Sequence, residues 1–379
     1  MSRSTTLRAR GLWPVALTVT VGALVTSALG ATPAVARAGG GYRQVNLVSD
    51  QHMRAPLRDT DLVNAWGLAA SPGTNDKPGS PLWVADNGTD KATLYAGTGP
   101  ASVAKQGLVV RVRGMAPTGQ VFNPFPHAFM VRDKRGHTGA SLFLFDTENG
   151  TIDGWSPGVG AVGKNPSTTT FVAHRKAHAI YKGLALGTVA GRPVLYATNF
   201  HSGKVEAYNG RFHRITLPGG RFVDPHLPAN YGPFGIAEIG GRLVVTYAKQ
   251  AGPHSPDELD GPGLGIVDVF SNNGRFLHRL VSHGPLDAPW GVALAPAGFG
   301  QFSGDLLVGN FGNGRINAFS PSTGALVGQL RRLSGGPVVI PGLWGLMFGN
   351  GNVAKTNELV FSAGPGGEAH GLLGKLVAP

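Results

Sequence analysis

One unit recurs along the chain: an aromatic-glycine-apolar triplet, a short apolar strand ending in Asn or Asp, a turn, and a strand ending in an aromatic. No other feature restricts the fold as strongly. The unit reads Trp66-Gly67-Leu68-Ala69 with Leu82-Trp83-Val84-Ala85-Asp86-Asn87, then Tyr181-Lys182-Gly183-Leu184-Ala185 with Leu195-Tyr196-Ala197-Thr198-Asn199. It returns as Phe234-Gly235-Ile236-Ala237 with residues 243–247, Trp290-Gly291-Val292-Ala293 with Leu306-Leu307-Val308-Gly309-Asn310, and Trp344-Gly345-Leu346 with Leu359-Val360-Phe361. A degenerate copy, Thr118-Gly119-Gln120-Val121-Phe122 with Leu142-Phe143-Leu144-Phe145, lies between the first two. Helical solenoids repeat at roughly 34 to 47 residues with 3.6-residue periodicity, whereas the glycines at 67, 119, 183, 235, 291 and 345 are 52 to 64 apart. Short strands between frequent turns indicate an all-β chain, and six units predict a six-bladed β-propeller. The sixth unit runs out of chain after three strands, so residues 42–48 are predicted to supply its outermost strand and close the ring.

The start of the chain is set apart from the propeller. Arg3, Arg8 and Arg10 precede an uncharged apolar stretch at 12–29, and Ala34-Val35-Ala36 comes next. This is the layout of a cleaved secretory signal. The expected organisation is a signal peptide at 1–36 and a single propeller domain at 37–379, secreted, monomeric and without a transmembrane segment in the mature chain. The formal charge is +12, but the bases are scattered, with dense spots only at 132–135 and 331–332. Nucleic acid, which calls for a concentrated basic face, is not an expected partner. The absence of cysteine rules out disulfides, zinc-thiolate sites and thiol nucleophiles. The 59 glycines and 28 prolines fit many short strands joined by tight turns.

Several motifs together resemble a known family: Asn46-Leu47-Val48-Ser49-Asp50, Trp83-Val84-Ala85-Asp86-Asn87-Gly88, Tyr196-Ala197-Thr198-Asn199-Phe200-His201, Val245-Thr246-Tyr247-Ala248-Lys249-Gln250, Ala288-Pro289-Trp290-Gly291 and Val308-Gly309-Asn310-Phe311-Gly312. They are similar to an uncharacterised family of exported bacterial propellers, some of whose members carry a PEP-CTERM sorting tail. This chain ends Lys375-Leu376-Val377-Ala378-Pro379, without such a tail. The resemblance spans the mature chain and implies a propeller, but it brings no activity with it. More distantly, the blades are similar to the NHL and SMP-30/gluconolactonase group of six-bladed propellers, a likeness of fold that does not fix function.

In a propeller the inner strands start on one face, and the turns after the second strands open on that same face. The expected ligand-binding set at this channel mouth is Asn64, Asp86, Asn87, Glu148, Asn149, Asn199, His201 and Asn310. Within it, Asp86, Glu148, Asn199 and Asn310 offer oxygen donors suited to Ca²⁺, which could polarise a lactone or ester carbonyl. The plainer reading assigns Asn87-Gly88, Asn149-Gly150 and Asn313-Gly314 to two-residue type I′ hairpins. It assigns the aromatics Trp66, Tyr181, Phe234, Trp290 and Trp344 to packing between neighbouring blades. Neither a Gly-x-Ser-x-Gly elbow nor a His-Glu-x-x-His helix occurs, and paired carboxylates are sparse. The favoured function is a binding or scaffold propeller for a small-molecule, glycan or protein ligand. The alternatives are a Ca²⁺-dependent hydrolase like the lactonase propellers and a charge-driven surface adhesive.

Overall fold

Glycine recurs once per unit because six strands crowd one axis. The computed structural model describes residues 40–74 and 77–379; the signal segment expected at 1–36 lies outside the described residues. From the axis outward, blade 1 runs Ala65–Ala69, Leu82–Asp86, Lys91–Ala96 and Ala104–Lys105. Blade 2 runs Pro117–Phe122, Phe143–Thr147, Thr151–Trp155 and Phe171–Arg175, with a hairpin of Met130–Arg132 and Thr138–Ala140 inserted after its first strand. The segment 158–179, between the third strand of blade 2 and the first of blade 3, therefore contains that blade's outer strand.

Blade 3 runs Tyr181–Val189, Arg192–Asn199, Lys204–Asn209 and Arg214–Ile215, and blade 4 runs Tyr231–Ile239, Arg242–Gln250, Ile266–Ser271 and Phe276–Ser282. Blade 5 runs Pro289–Leu294, Leu306–Asn310, Ile316–Phe319 and Leu326–Gln329. Blade 6 has Leu343–Phe348, Leu359–Ala363 and Leu372–Val377, and its fourth strand is Arg43–Ser49 from the other end of the chain. The pairing runs antiparallel from Arg43 opposite Val377 to Ser49 opposite Leu372. The buried Tyr42 hydroxyl beside this seam donates to Phe299 O at 2.9 Å. Each inner strand packs against the inner strands of both neighbours, and the sixth returns to the first. The chain is a closed six-bladed propeller.

A Cβ on any of the six repeat glycines would come within 2.8 Å of a backbone atom of the next blade: Thr118 O for Gly67, Leu184 N for Gly119, Phe234 O for Gly183, Trp290 O for Gly235, Trp344 O for Gly291 and Trp66 O for Gly345. None of the six has a positive φ. Close approach, not backbone freedom, demands glycine there. The crowded carbonyls find donors: Thr118 Oγ1 reaches Tyr181 O at 2.9 Å, Thr198 Oγ1 reaches Phe234 O at 2.7 Å, and Ser362 Oγ reaches Trp66 O. Buried carbonyls are thus satisfied across blade boundaries.

The expected type I′ turns do not form. Such turns need positive φ at both central residues, and neither Asn87, Asn149 nor Asn313 has it. Gly150 and Gly314 carry the left-handed step in their turns, and Asn87 opens a short 3-10 turn closed by left-handed Asp90. Among the described residues no helix is long and apolar enough to cross a membrane.

Candidate functional site

The strand register places equivalent residues of different blades on one face. The inner strands start where the second strands end, with Ala65 opposite Asp86, Tyr181 opposite Asn199 and Pro289 opposite Asn310. At this top end the channel is closed by aromatic rings. Trp66 stacks on Trp344 at 3.4 Å between centroids, Phe311 stacks on the same ring at 4.1 Å, and Trp290 and Phe234 meet it edge-on. Phe200 completes the cluster. The rings thus converge on the axis, joining blades that are not adjacent, instead of lying between neighbouring blades as expected. Tyr181 is absent from this group. Its hydroxyl lies in blade 3, 3.0 Å from Glu206 Oε2 and 2.6 Å from Tyr208 Oη. In that blade the axial position belongs to Lys182, whose Nζ sits 5.1 Å from the Trp66 ring and 6.0 Å from that of Phe200.

Above the rings a polar mouth is assembled from distant parts of the chain. Lys182 Nζ donates to Glu148 Oε1 at 2.6 Å, and Asn87 Nδ2 donates to Glu148 Oε2 at 3.1 Å. Asn64 Nδ2 donates to Asn87 Oδ1 at 3.2 Å and to Glu368 Oε2 at 2.8 Å, while Trp344 Nε1 donates to Asn64 Oδ1 at 3.0 Å. Asn64 and Glu368 both hold left-handed backbones, with φ of 47° and 66°. That conformation is tolerated by Asn and unusual for Glu. Burial works against the charge on Lys182, but Glu148, Glu258 and Glu368 outweigh it and hold the ammonium above the ordinary lysine range. Burial pushes the Glu258 carboxyl up to about 7, against the pull of Lys182, and burial together with Glu148 raises Glu368. Glu258 arrives on the excursion at 250–263, which is pinned by pairing of Glu258–Leu259 with the strand at Lys249 and Gln250, and by Gln250 Nε2 donating to Phe200 O at 2.7 Å.

Of the expected site residues, Asn64, Asn87 and Glu148 are brought together. The others are engaged elsewhere. Asp86 is wholly buried beside Thr93, and burial drives its carboxyl well above the ordinary range. Asn199 Nδ2 donates to Glu206 at 3.1 Å, Asn310 Nδ2 to Pro285 O at 2.8 Å, and Asn149 Nδ2 to Gly114 O at 3.2 Å. His201 packs against His254 at 5.4 Å, with its carbonyl 2.9 Å from His254 Nδ1. Glu148 is bonded to Lys182 and Asn87, while the Asn199 and Asn310 amides donate to Glu206 and Pro285 O, so among the four expected Ca²⁺ donors these three have different partners. Among the described residues no group of three or more His, Cys, Asp or Glu is placed to hold a metal ion.

Lys182, Glu258 and Glu368 were not expected. Lys182 had a signal, since it stands where four other units carry an aromatic. The two glutamates lie in non-repeating loops and had none.

Below the rings the channel opens into a chamber of about 840 Å³. Each blade adds an aliphatic side chain just past its repeat glycine: Leu68, Val121, Leu184, Ile236, Val292 and Leu346. Trp290 forms part of its inner end, and among the described residues Glu238 is the one charged group in the wall. Gln120 also borders it, but its Nε2 is committed to Gly67 O at 2.8 Å and Trp83 O at 2.6 Å.

The chain matches no family model. It is 33% identical to Uncharacterized protein R648 of Acanthamoeba polyphaga mimivirus over 343 residues, covering 87% of this chain and 78% of that protein. It is 31% identical to Uncharacterized protein L690 of the same virus, covering 87% of this chain and 84% of that one. These relatives are viral, not members of the exported bacterial family that the motifs resembled, and they lend no support to a PEP-CTERM tail. Among solved structures, a streptogramin B lyase aligns at 10% identity over 91% of this chain and 99% of its own, with a TM-score of 0.44. The GH93 α-L-arabinofuranosidase of Fusarium graminearum aligns at 11% identity over 90% and 98%, with a TM-score of 0.45.

Proposed function

The chain belongs to the family that includes these two mimivirus proteins, which brings no activity with it, and we propose from its own geometry that it is a binding propeller whose top mouth holds an organic cation. The reading extends the expected small-molecule, glycan or protein ligand to one chemistry, an ammonium or guanidinium group, free or on a peptide. One observation carries it. Three glutamates from blades 2, 4 and 6 act on a single buried ammonium, and that ammonium is already hydrogen-bonded to Glu148. Glu258 and Glu368 are left with raised pKa values because burial weighs more than the pull of Lys182. A second cation would lower the cost of ionising both.

Calorimetric titration with N-acetyl-arginine amide tests this, with N-acetyl-citrulline amide as the uncharged control. The arginine compound should bind, and bind more tightly at pH 8 than at pH 6, since Glu258 loses its proton through about 7. The double variant Glu258→Gln, Glu368→Gln should lose that binding. Equal binding of the two compounds, or an unchanged double variant, would sink the idea. Calcium chloride in the same titration addresses the Ca²⁺ alternative: heat released by the ion and abolished by Glu148→Gln would favour it.

A further inference from the structure

The lower chamber has no counterpart in that reading, and its walls have a different chemistry. We propose that it is a second binding site, for a molecule with an extended hydrocarbon body and a cationic polar end. Its volume of about 840 Å³ lies within the size of small-molecule sites. All six blades contribute carbon to the wall, and the strand amides behind it are paired within their sheets. The one side-chain amide along the inner strands, Gln120, spends its donors on Gly67 O and Trp83 O. A polar body would lose its water there and find few side-chain partners, the buried acceptors Gln120 Oε1 and Asn272 Oδ1 among them, whereas methylenes gain from burial.

The polar end is specified at the rim. Glu238 is exposed, and its Oε1 already accepts from Gly241 N at 2.8 Å, so the carboxylate is held in place. Among the described residues no base lines the chamber. An ammonium end would be attracted to Glu238, a neutral end tolerated, and a carboxylate end repelled. This is a demanding expectation, because the chain as a whole carries a formal charge of +12 and would favour anions by bulk electrostatics.

The test uses the fluorescent probe N-phenyl-1-naphthylamine on the whole protein, with dodecylamine, dodecanol and dodecanoate as competitors below their aggregation concentrations. The probe should bind saturably. Dodecylamine should displace it best and dodecanoate worst, and each methylene removed from the amine should weaken it by about fourfold. Glu238→Gln should erase the advantage of the amine over the alcohol. Ile236→Trp, which fills the bore, should abolish probe binding. If that variant does not fold, the chain-length series on the unaltered protein decides. The Glu258→Gln, Glu368→Gln protein should keep full probe binding, which separates this site from the mouth. Absence of saturable binding, a flat chain-length series, dodecanoate matching dodecylamine, or an unaffected folded Ile236→Trp protein would each overturn the proposal.

Discussion

The two ends of the channel are made by the same six strands, yet one is polar and sealed and the other is apolar and open. The shared part lies around the repeat glycine. Trp66 packs in the ring cluster and Leu68 lines the chamber, while Gly67 between them meets blade 2, at a point where the strand is bulged. In five blades the residue before the glycine stands at the upper closure and the residue after it in the lower wall; in blade 2 Thr118 bonds Tyr181 O instead, and Val121, two past Gly119, reaches the wall. The difference arises at the rims. At the top, loops of blades 2, 4 and 6 carry Glu148, Glu258 and Glu368 toward the axis. At the bottom the inner strands simply run on: those of blades 3 and 4 are 9 residues long, against 5 residues in blade 1, and this extends the carbon wall. A closure needs side chains from several blades in mutual contact, whereas a chamber needs only a smooth lining.

The largest contrast should appear on truncation. Trp344 is fully buried at the centre of the ring cluster, and Trp344→Ala should cost about 3–5 kcal/mol in urea unfolding. Val292→Ala, which only enlarges an existing cavity, should cost about 1 kcal/mol. Similar losses at the two positions would break the distinction between closure and lining.

Next in size is Lys182→Met, which leaves Glu148 beside two further carboxyls. Removing one partner of a buried pair costs about 3–5 kcal/mol, but Glu148 is 30% exposed and can be solvated, so about 1–2 kcal/mol is expected. The same variant should move the titration of Glu258 to higher pH, which carbon-13 NMR of the glutamate carboxyls would track.

A further contrast concerns pH. Glu258 has a native pKa of about 7 against an unfolded value of 4.5. The folded state holds this proton more tightly, so the group's favourable contribution is complete below about pH 4.5 and is lost as pH rises through about 7. Asp146 and Asp268, raised by burial to about 7 and about 8, add their own losses in both the unaltered protein and a Glu258→Gln variant. The difference between the two unfolding curves should therefore change between pH 4.5 and 7 and be flat beyond; a difference flat throughout would remove Glu258 from the mouth. The smallest effect is expected at the lower rim, where Glu238→Gln should alter stability by less than about 0.5 kcal/mol at any of these pH values.

Much of the fold was legible because the repeat glycine, its flanking residues and the strand ends recur at comparable intervals. The closing role of Arg43–Ser49 could be had from counting strands. The site was less legible. Asn64, Asn87 and Glu148 were found because they occupy repeat-defined positions at the top face. Asp86, Asn199 and Asn310 occupy similar positions but point into their blades or loops, since a side chain at the end of a strand can turn either way. Tyr181 was misplaced by one residue, and that single step is the difference between facing the axis and facing Glu206.

By itself, the sequence determined the blade count, the strand that closes the ring, and a glycine at every contact between inner strands, because each of these is set by local pattern and chain order. Tertiary structure alone decided which polar groups meet. Asn64 and Glu368 are 304 residues apart and share a hydrogen bond only because the ring closes. Glu258 faces Lys182 only because an irregular excursion of blade 4 is pinned to Phe200 O. The chamber is likewise a product of closure. Six aliphatic residues that look like ordinary core in six separate strands become the wall of a cavity, because six inner strands set around an axis leave space along it that their own side chains do not fill.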